Sequence, residues 1–544
     1  MSGTAQLTAA QAIAILDRQW GITADRVVDL GSYEDQNLRV DAGPERYVLK
    51  VAGPSHARPP LEAEHKALAA AATVELATPL PVPARDGSEI VDVDGHRVRL
   101  LSWVEGVPLT EIAHLDEPTL RSLGAVAAAS SAALADVHSA REPVASKWDP
   151  RLAAEVVDDV LADDPGPTED ERELLLAATA PLRELLQRSD AELPARQTIH
   201  GDVSDYNVLV TAAGPGRVRI SGLIDFGDST RTWRIADLAN ACVAVVCREL
   251  DEPLPALLAV VVGYHELAPL NALELDALWP LILGRAAACA GLSTRQLRLT
   301  PDREYTVAQY AGDWRALRTL MDFPPGLPDA AIRARCGHEP VPDDPLAGLL
   351  GSGTELLPVL APVGRRAAGH AAAVDAAAGQ AAAADGVLDL SIETDELHDG
   401  DWADPRAVAA AVHARHATIG RWGEVRLTGS GVPGEAAPDT LHLGADLFAP
   451  AGTAVRAPLA GTVSVVAERE LTLELAPGRC LRLAGIEAVA RVGSAVTAGA
   501  VVGHVAERTD GGPSQVHVQL TTAPGQPGLG DPRLRDAWLA LCPD

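Results

Sequence analysis

Apolar residues at the start of the chain fall at helical spacing. Leu7, Ile13, Leu16 and Trp20 share one face, which predicts an amphipathic helix between Met1 and Trp20. The period then shortens. Val27–Val40 and Tyr47–Val51 read as strands, Leu61–Ala72 as a helix, and Glu89–Val104 as a hairpin leading out of a sheet. From about residue 110 to 340 the pattern is mostly helical, broken by strand-like runs at Asn207–Val210 and Val218–Ile224. The expected plan is a small sheet-rich lobe, residues 1–104, followed by a large helical lobe, residues 105–342. Between Asp343 and Asp385, turn residues and the alanine run Ala371–Ala384 bring few large side chains. Residues 343–386 therefore read as a partly helical linker, since alanine favours helix but adds little core. After Gly386, short alternating runs (Thr453–Arg456, Gly461–Val466, Leu471–Leu475) predict an all-β domain over 387–544. No internal repeat is visible, and the expected fold class is α+β.

A chain of 544 residues has room for roughly two to four domains, and 47% hydrophobic residues exclude a disordered protein. The net charge of −30 excludes nucleic acid and an anionic membrane as partners, because both require a basic footprint. Such a surface either attracts a cationic substrate or simply keeps the protein solvated. No apolar stretch reaches the ~18–20 residues of a membrane span. The N-terminus lacks the features of a signal peptide, so a cytoplasmic protein is expected. The six cysteines form no C-x-x-C pair, the usage of reduced, buried thiols. Only Lys50, Lys66 and Lys147 are lysines among 45 basic residues, so each is a candidate for chemistry.

Two runs concentrate reactive side chains: His200-Gly201-Asp202-Val203-Ser204-Asp205-Tyr206-Asn207, and Leu223-Ile224-Asp225-Phe226-Gly227-Asp228. Phosphoryl transfer asks for positioning and charge neutralisation more than covalent chemistry. Asp202 can orient an attacking hydroxyl and accept its proton, while Asn207 and Asp225 can offer oxygens to magnesium. The pattern H-G-D-x-x-x-x-N followed by I-D-F-G resembles the aminoglycoside phosphotransferase and choline kinase superfamily, relatives of the protein kinases. The resemblance implies a bilobal protein-kinase-like domain that uses ATP or GTP with Mg2+. Lys50 would then grip the α- and β-phosphates, and Glu64 would pair with it, with Glu62 as the competitor. Ser102, Trp103 and Val104 would offer backbone groups to the purine. The phosphate loop departs from G-x-G-x-x-G. Its run Ser32-Tyr33-Glu34-Asp35-Gln36-Asn37 is similar to that of hydroxylysine kinases, which makes Ser32 and Asn37 the phosphate-side contacts. His200 is expected to brace the catalytic loop, and Asp237 to cap or brace the following helix.

In this superfamily the acceptor binds between the catalytic loop and the helical lobe, so Asp205, Asp228, Arg231 and Trp233 are the candidate substrate contacts. The carboxylates suit an ammonium group, and Trp233 would add a cation–π contact. The expected substrate is a small hydroxylated amine, either an amino alcohol or a hydroxylated amino acid. An aminoglycoside-type antibiotic is the alternative.

Near the C-terminus, His442-Leu443-Gly444-Ala445-Asp446 is followed at a distance by Gln515-Val516-His517. Two imidazoles and a carboxylate make a possible Zn2+ site, His442, Asp446 and His517, with one coordination position open. The surrounding H-x-G-x-D-x-x-A-P-x-G-T-x-V is similar to lysostaphin-type zinc endopeptidases. Where those carry H-x-H this chain has Gln515, and where they carry an earlier catalytic histidine it reads Cys480–Ile486. The resemblance therefore implies a metallopeptidase-like (lysostaphin-type) domain without its proton-handling histidines. His398, His413 and His416 read as surface residues. Val496–Gly503 resembles a turn of biotinyl or lipoyl domains, but no lysine follows Lys147 to carry either group or a pyridoxal phosphate. The arrangement looks like the first two modules of larger fusions that continue into a class III aminotransferase-type module, so an aminotransferase-type (PLP) partner is an expectation. Three functions stay open: a small-molecule kinase, a zinc hydrolase, and a pseudo-enzyme scaffold.

Overall fold

The computed structural model describes residues 7–31, 35–52, 58–73, 76–137, 148–163, 166–248, 250–301, 304–342, 387–391, 404–414, 419–420, 422–426 and 439–542. Ser32, the 343–386 linker, His398 and His416 lie outside them. The chain divides into two compact units, Met1–Asp322 and Phe323–Asp544.

The first unit opens with helix α1 (Ala9–Trp20), started by a Thr8–Gln11 capping box and stopped by Gly21 in the left-handed conformation. Its buried face of Ala12, Ile15, Leu16 and Trp20 packs on an antiparallel sheet. The strands are β1 (Arg26–Asp29), β2 (Gln36–Ala42), β3 (Glu45–Ala52), β4 (Val91–Val93) and β5 (His96–Ser102), in the order β1-β2-β3-β5-β4. Helix α2 (Arg58–Ala71) follows β3 in sequence. Side chains alternate along β3, so Leu49 and Val51 join the α1 core while Lys50 points to the opposite face. Asn37 on β2 and Arg99 on β5 stand directly across from Lys50, placing all three in one row.

The larger lobe contains strand β6 (Val107–Pro108), then helices α3 (Glu117–Leu134), α4 (Ala153–Leu161) and α5 (Glu169–Leu185). Strands β7 (Arg196–Ile199), β8 (Val208–Gly214), β9 (Arg217–Leu223) and β10 (Thr230–Trp233) come next, then helices α6 (Ala236–Val246), α7 (Pro253–Leu267), α8 (Ala272–Leu299) and α9 (Glu304–Met321). α3 and α7 approach closely because glycines face the contact. A Cβ on Gly124 would lie 1.9 Å from the Val260 carbonyl, and one on Gly263 would lie 1.9 Å from that of Arg121. The periodicity located β8 and β9 but not β7 and β10. These four-residue strands pair with each other and carry too few positions for an alternation to register. α8 also amends the expectation about apolar stretches. It is long and apolar enough to cross a membrane, but 72% of its apolar window is buried inside the protein, as in a core helix.

The second unit begins with α10 (Leu327–Arg335), which packs on the helix Arg535–Leu541. The change of unit therefore falls ahead of the boundary expected at residue 342, because α10 buries Leu327, Ala330, Ala331 and Ile332 here. The described strands of this unit include an eight-stranded sheet. Its runs Ala454–Arg456, Gly461–Ala467 and Glu470–Ala476 overlap the three expected strands. The unit is not purely β: the described residues also contain α10, Pro405–Ala414 and Arg535–Leu541 as helices.

Candidate functional site

Lys50 is 7% exposed, and its ammonium lies 3.4 Å from Glu64 Oε1 and 3.0 Å from Asp225 Oδ1. Glu64 arrives on the buried face of α2. Glu62 points away, is half exposed, and pairs with Arg58 one turn back. The other Glu64 oxygen takes the fully buried Arg99 guanidinium at 2.5 Å, and Arg99 also reaches Asp35 at 3.2 Å. Burial alone would raise the Glu64 carboxyl, but Lys50 and Arg99 outweigh it and hold it below its ordinary value. Burial likewise disfavours the Lys50 charge, and the carboxylates of Glu64 and Asp225 outweigh that and raise it. The Lys50 cation in turn lowers Asp225. Arg99 was not singled out from the sequence. Its only sequence signal is a charged residue in a run of apolar strand positions.

The loop that carries Asp202 leaves β7 at His200-Gly201. Gly201 has φ +91°, and a Cβ there would lie 2.2 Å from the Asp228 carbonyl, so only glycine fits this approach. Asp237, from the first turn of α6, accepts hydrogen bonds from the backbone N–H groups of His200 and Gly201, each at 2.9 Å. Asn240, further along α6, donates to the Gly201 carbonyl at 2.8 Å. Asp237 thus braces the loop rather than capping its own helix, and complete burial pushes its carboxyl up to about 7. His200 is also fully buried. Its Nδ1 accepts the Asp202 N–H at 3.2 Å, and its Nε2 donates to the Ile224 carbonyl at 3.0 Å. One imidazole therefore ties Asp202 to the residue before Asp225. Burial depresses its protonation, which fits this neutral, donor-and-acceptor role.

Asp202 keeps 27% of its side chain exposed. The Asn207 amide donates to its Oδ2 at 2.7 Å, and Arg285 from α8 reaches its Oδ1 at 3.3 Å. Arg285 stacks on Trp148, 5.2 Å from the ring centre, and donates to the Trp148 carbonyl at 3.2 Å. It lies far along the chain, and nothing local in the sequence marks it. Asp225 adopts φ 63°, a left-handed conformation strained for a residue with a Cβ, and leaves half of its side chain exposed. The Asn207 amide oxygen and the Asp225 carboxylate are hard oxygen donors, the type magnesium takes.

The other expected contacts separate. Asn37 lies on the Lys50 row, and its Oδ1 is buried without a hydrogen-bond partner. Ser102, Trp103 and Val104 follow the end of β5. The Ser102 N–H donates to Leu80 and that of Trp103 to Arg46, so these two amides are already used within the protein. Asp228 is half-buried and Arg231 exposed. Asp205 is 6% exposed and bound by Arg248 at 3.0 Å, so its charge is already met inside the protein. Trp233 corrects the expectation of a cation–π contact to substrate. It is 0% exposed on β10, with Arg151 over its ring at 5.9 Å.

In the second unit, Asp446 and His517 stand directly opposite each other on neighbouring antiparallel strands. His517 Nδ1 is 3.0 Å from Asp446 Oδ1, and His442 Nε2 is 3.3 Å from Asp446 Oδ2. The His442 and Asp446 side chains are more than nine-tenths buried, that of His517 is 11% exposed, and His517 Nε2 has no hydrogen-bond partner. The buried Arg426, missed in the sequence, also binds Asp446. Beside His517 opens a cleft of about 440 Å³ lined by Gln515, Gly485, Arg482 and Arg508, among others.

Comparison with known proteins finds similarity over the first unit. Residues 26–270 match the model of the phosphotransferase enzyme family, APH. The protein is a phosphotransferase with an alcohol group as acceptor, a nucleotide-binding small-molecule kinase. Hydroxylysine kinase of Mus musculus is 24% identical over 358 residues, spanning 58% of this chain and 90% of that protein. The Xenopus laevis hydroxylysine kinase is 25% identical over 346 residues, spanning 58% and 89%. Among solved structures, a microcompartment-associated aminopropanol kinase is 21% identical, with 60% of this chain and 98% of that chain covered and a TM-score of 0.43. The amicoumacin kinase hAmiN is 14% identical, with coverage of 58% and 95% and a TM-score of 0.44.

Proposed function

We propose that the first unit transfers the terminal phosphoryl group of a nucleotide to the hydroxyl of an amino alcohol or hydroxylated amino acid. The observation that carries this reading is the single bonded network joining Lys50, Glu64 and Asp225 to Asp202 and Asn207 through His200. Asp202 is the base. Asn207 and Arg285 each hold one of its oxygens, which fixes its direction while its exposed edge meets the acceptor hydroxyl and takes the proton. Glu64 and Arg99 hold Lys50 at the position where it meets the nucleotide phosphates. Asn207 and Asp225 would hold a magnesium ion, whose charge offsets that of the phosphates. The similarity to hydroxylysine kinases favours an acceptor that carries an amine. Steady-state kinetics with amino alcohols, hydroxylated amino acids, sugars and aminoglycosides, each with ATP and GTP, test this reading. Turnover confined to uncharged acceptors would contradict it.

For the second unit, the convergence of His442, Asp446 and His517, with ligand atoms within 4.8 Å of one another, favours a zinc site in a metallopeptidase-like domain. His517 is the only imidazole lining the adjacent cleft among the described residues, and Gln515 cannot shuttle a proton. We read the domain as metal-binding without peptide hydrolysis. Metal analysis of the full chain and of His517→Ala tests the binding. One zinc per wild-type chain and none in the variant is expected, and a metal-free wild type after zinc loading would refute it.

A further inference from the structure

One buried acid in the helical lobe has no use in the mechanism above. Asp313 on α9 is 8% exposed. Its Oδ1 accepts a weak bond from the Cys247 thiol at 3.7 Å, the Ser293 hydroxyl stands beside the carboxylate and lowers its pKa, and its Oδ2 is buried with no well-formed hydrogen bond. Native proteins leave few buried polar atoms orphaned, and a carboxylate oxygen is among the costliest to leave so.

Its position is fixed from two sides. Arg285, which binds the base Asp202 at 3.3 Å, is close enough to interact with Asp313 electrostatically. Cys247 ends α6 beside Arg248, and Arg248 binds Asp205 of the catalytic loop at 3.0 Å. Asp313 therefore stands behind the catalytic loop, between the Asp202 and Asp205 ends of it. Asp205 is neutralised by Arg248 and Trp233 is sealed in the core, so two of the residues expected to meet an acceptor amine are removed. Asp313 is as buried as Asp205 and feels Arg285 and Ser293, but no described cation pairs with it directly, and its Oδ2 faces the helical-lobe side of the base without a well-formed hydrogen bond.

We propose that Asp313 is the residue that recognises the ammonium group of the acceptor, so that the site selects hydroxylated amines over the corresponding uncharged alcohols. This inference rests on the amine-acceptor reading given above. The burial that pushes the empty carboxyl up to about 6 is reversed when a cation arrives beside it. The amine binds in its protonated form and no covalent step is involved.

The test uses the full chain, wild type and Asp313→Asn, with two matched acceptors: 1-amino-2-propanol and 1,2-propanediol. The isosteric amide keeps the volume and removes the charge. The expected result is a KM for the amino alcohol raised roughly 10- to 100-fold, the range for losing a hydrogen bond to a charged group. The KM for nucleotide and the turnover of the diol should stay at wild-type values, and Asp313→Glu should keep the amine preference. Wild-type turnover of the amino alcohol with an unchanged KM in Asp313→Asn would overturn this inference alone. Equal losses on amine, diol and nucleotide would also overturn it, by showing a structural role. Silence of the wild type on every amine, with turnover of the diol, would overturn the acceptor reading and this inference with it. Should Asp313→Asn fail to fold, Asp313→Ser gives the same comparison.

Discussion

Glu64→Ala, measured beside Glu62→Ala, turns the geometry around Lys50 into a number. The two glutamates sit on the same turn of α2, yet one is buried between Lys50 and Arg99 and the other is half exposed against Arg58. Removing one partner from a buried ion pair typically costs about 3–5 kcal/mol, because it strands the charge left behind. Here the removal strands two cations that face each other across adjacent strands. Lys50 keeps Asp225 and Arg99 keeps Asp35, so the low end, about 3 kcal/mol, is expected. Glu62→Ala removes one surface pair and should cost no more than about 0.5 kcal/mol. Denaturant unfolding of the full chain reads both values, using the transition that shifts when nucleotide is added. Glu64→Ala should also raise the nucleotide KM, since Lys50 then collapses onto Asp225. If Glu64→Ala unfolds within about 0.5 kcal/mol of wild type, the buried network does not hold the lobe together and the argument fails.

The remaining expectations are separate in cause. Gly201→Ala should lower kcat by about 100-fold or more, because its Cβ would displace Asp228 and the loop carrying Asp202; kinetics at wild-type fold content check it, and unchanged kcat would refute it. Trp233→Phe should leave the acceptor KM unchanged while lowering thermal stability, whereas a KM effect without a stability effect would restore Trp233 to the substrate face. His200 should remain neutral below its ordinary value of 6.5, as read by histidine NMR. Its depressed protonation in the folded state adds stability that is present above pH 6.5 and is lost as pH falls toward the lowered value. Titration of His200 at or above 6.5 would contradict the donor-and-acceptor assignment.

What the sequence revealed divides by the range of the contacts involved. Lys50, Asp202, Asn207 and Asp225 sit in local patterns whose spacing carries their geometry, whereas Asp446 and His517 were paired by motif resemblance and the strand register sets them opposite each other. Arg99, Arg285, Asp313 and Arg426 meet the sites only through tertiary packing. Each is a single charged residue in an ordinary strand, helix or loop position, and nothing nearby in sequence marks it. Trp233 misled for a related reason. Its proximity to Asp228 along the chain suggested a substrate contact, but β10 pairs with β7 and turns the ring into the core. Asp237 had the right function for the wrong neighbour, bracing the catalytic loop instead of its own helix.

The central claim is that Asp202 is the base of a nucleotide-dependent phosphoryl transfer. The most direct measurement is acceptor-dependent release of nucleoside diphosphate, with magnesium, by wild type and Asp202→Ala. The account predicts turnover by wild type and a loss of roughly 100- to 10,000-fold in kcat in the variant, with nucleotide binding retained. Turnover that survives in Asp202→Ala would contradict it.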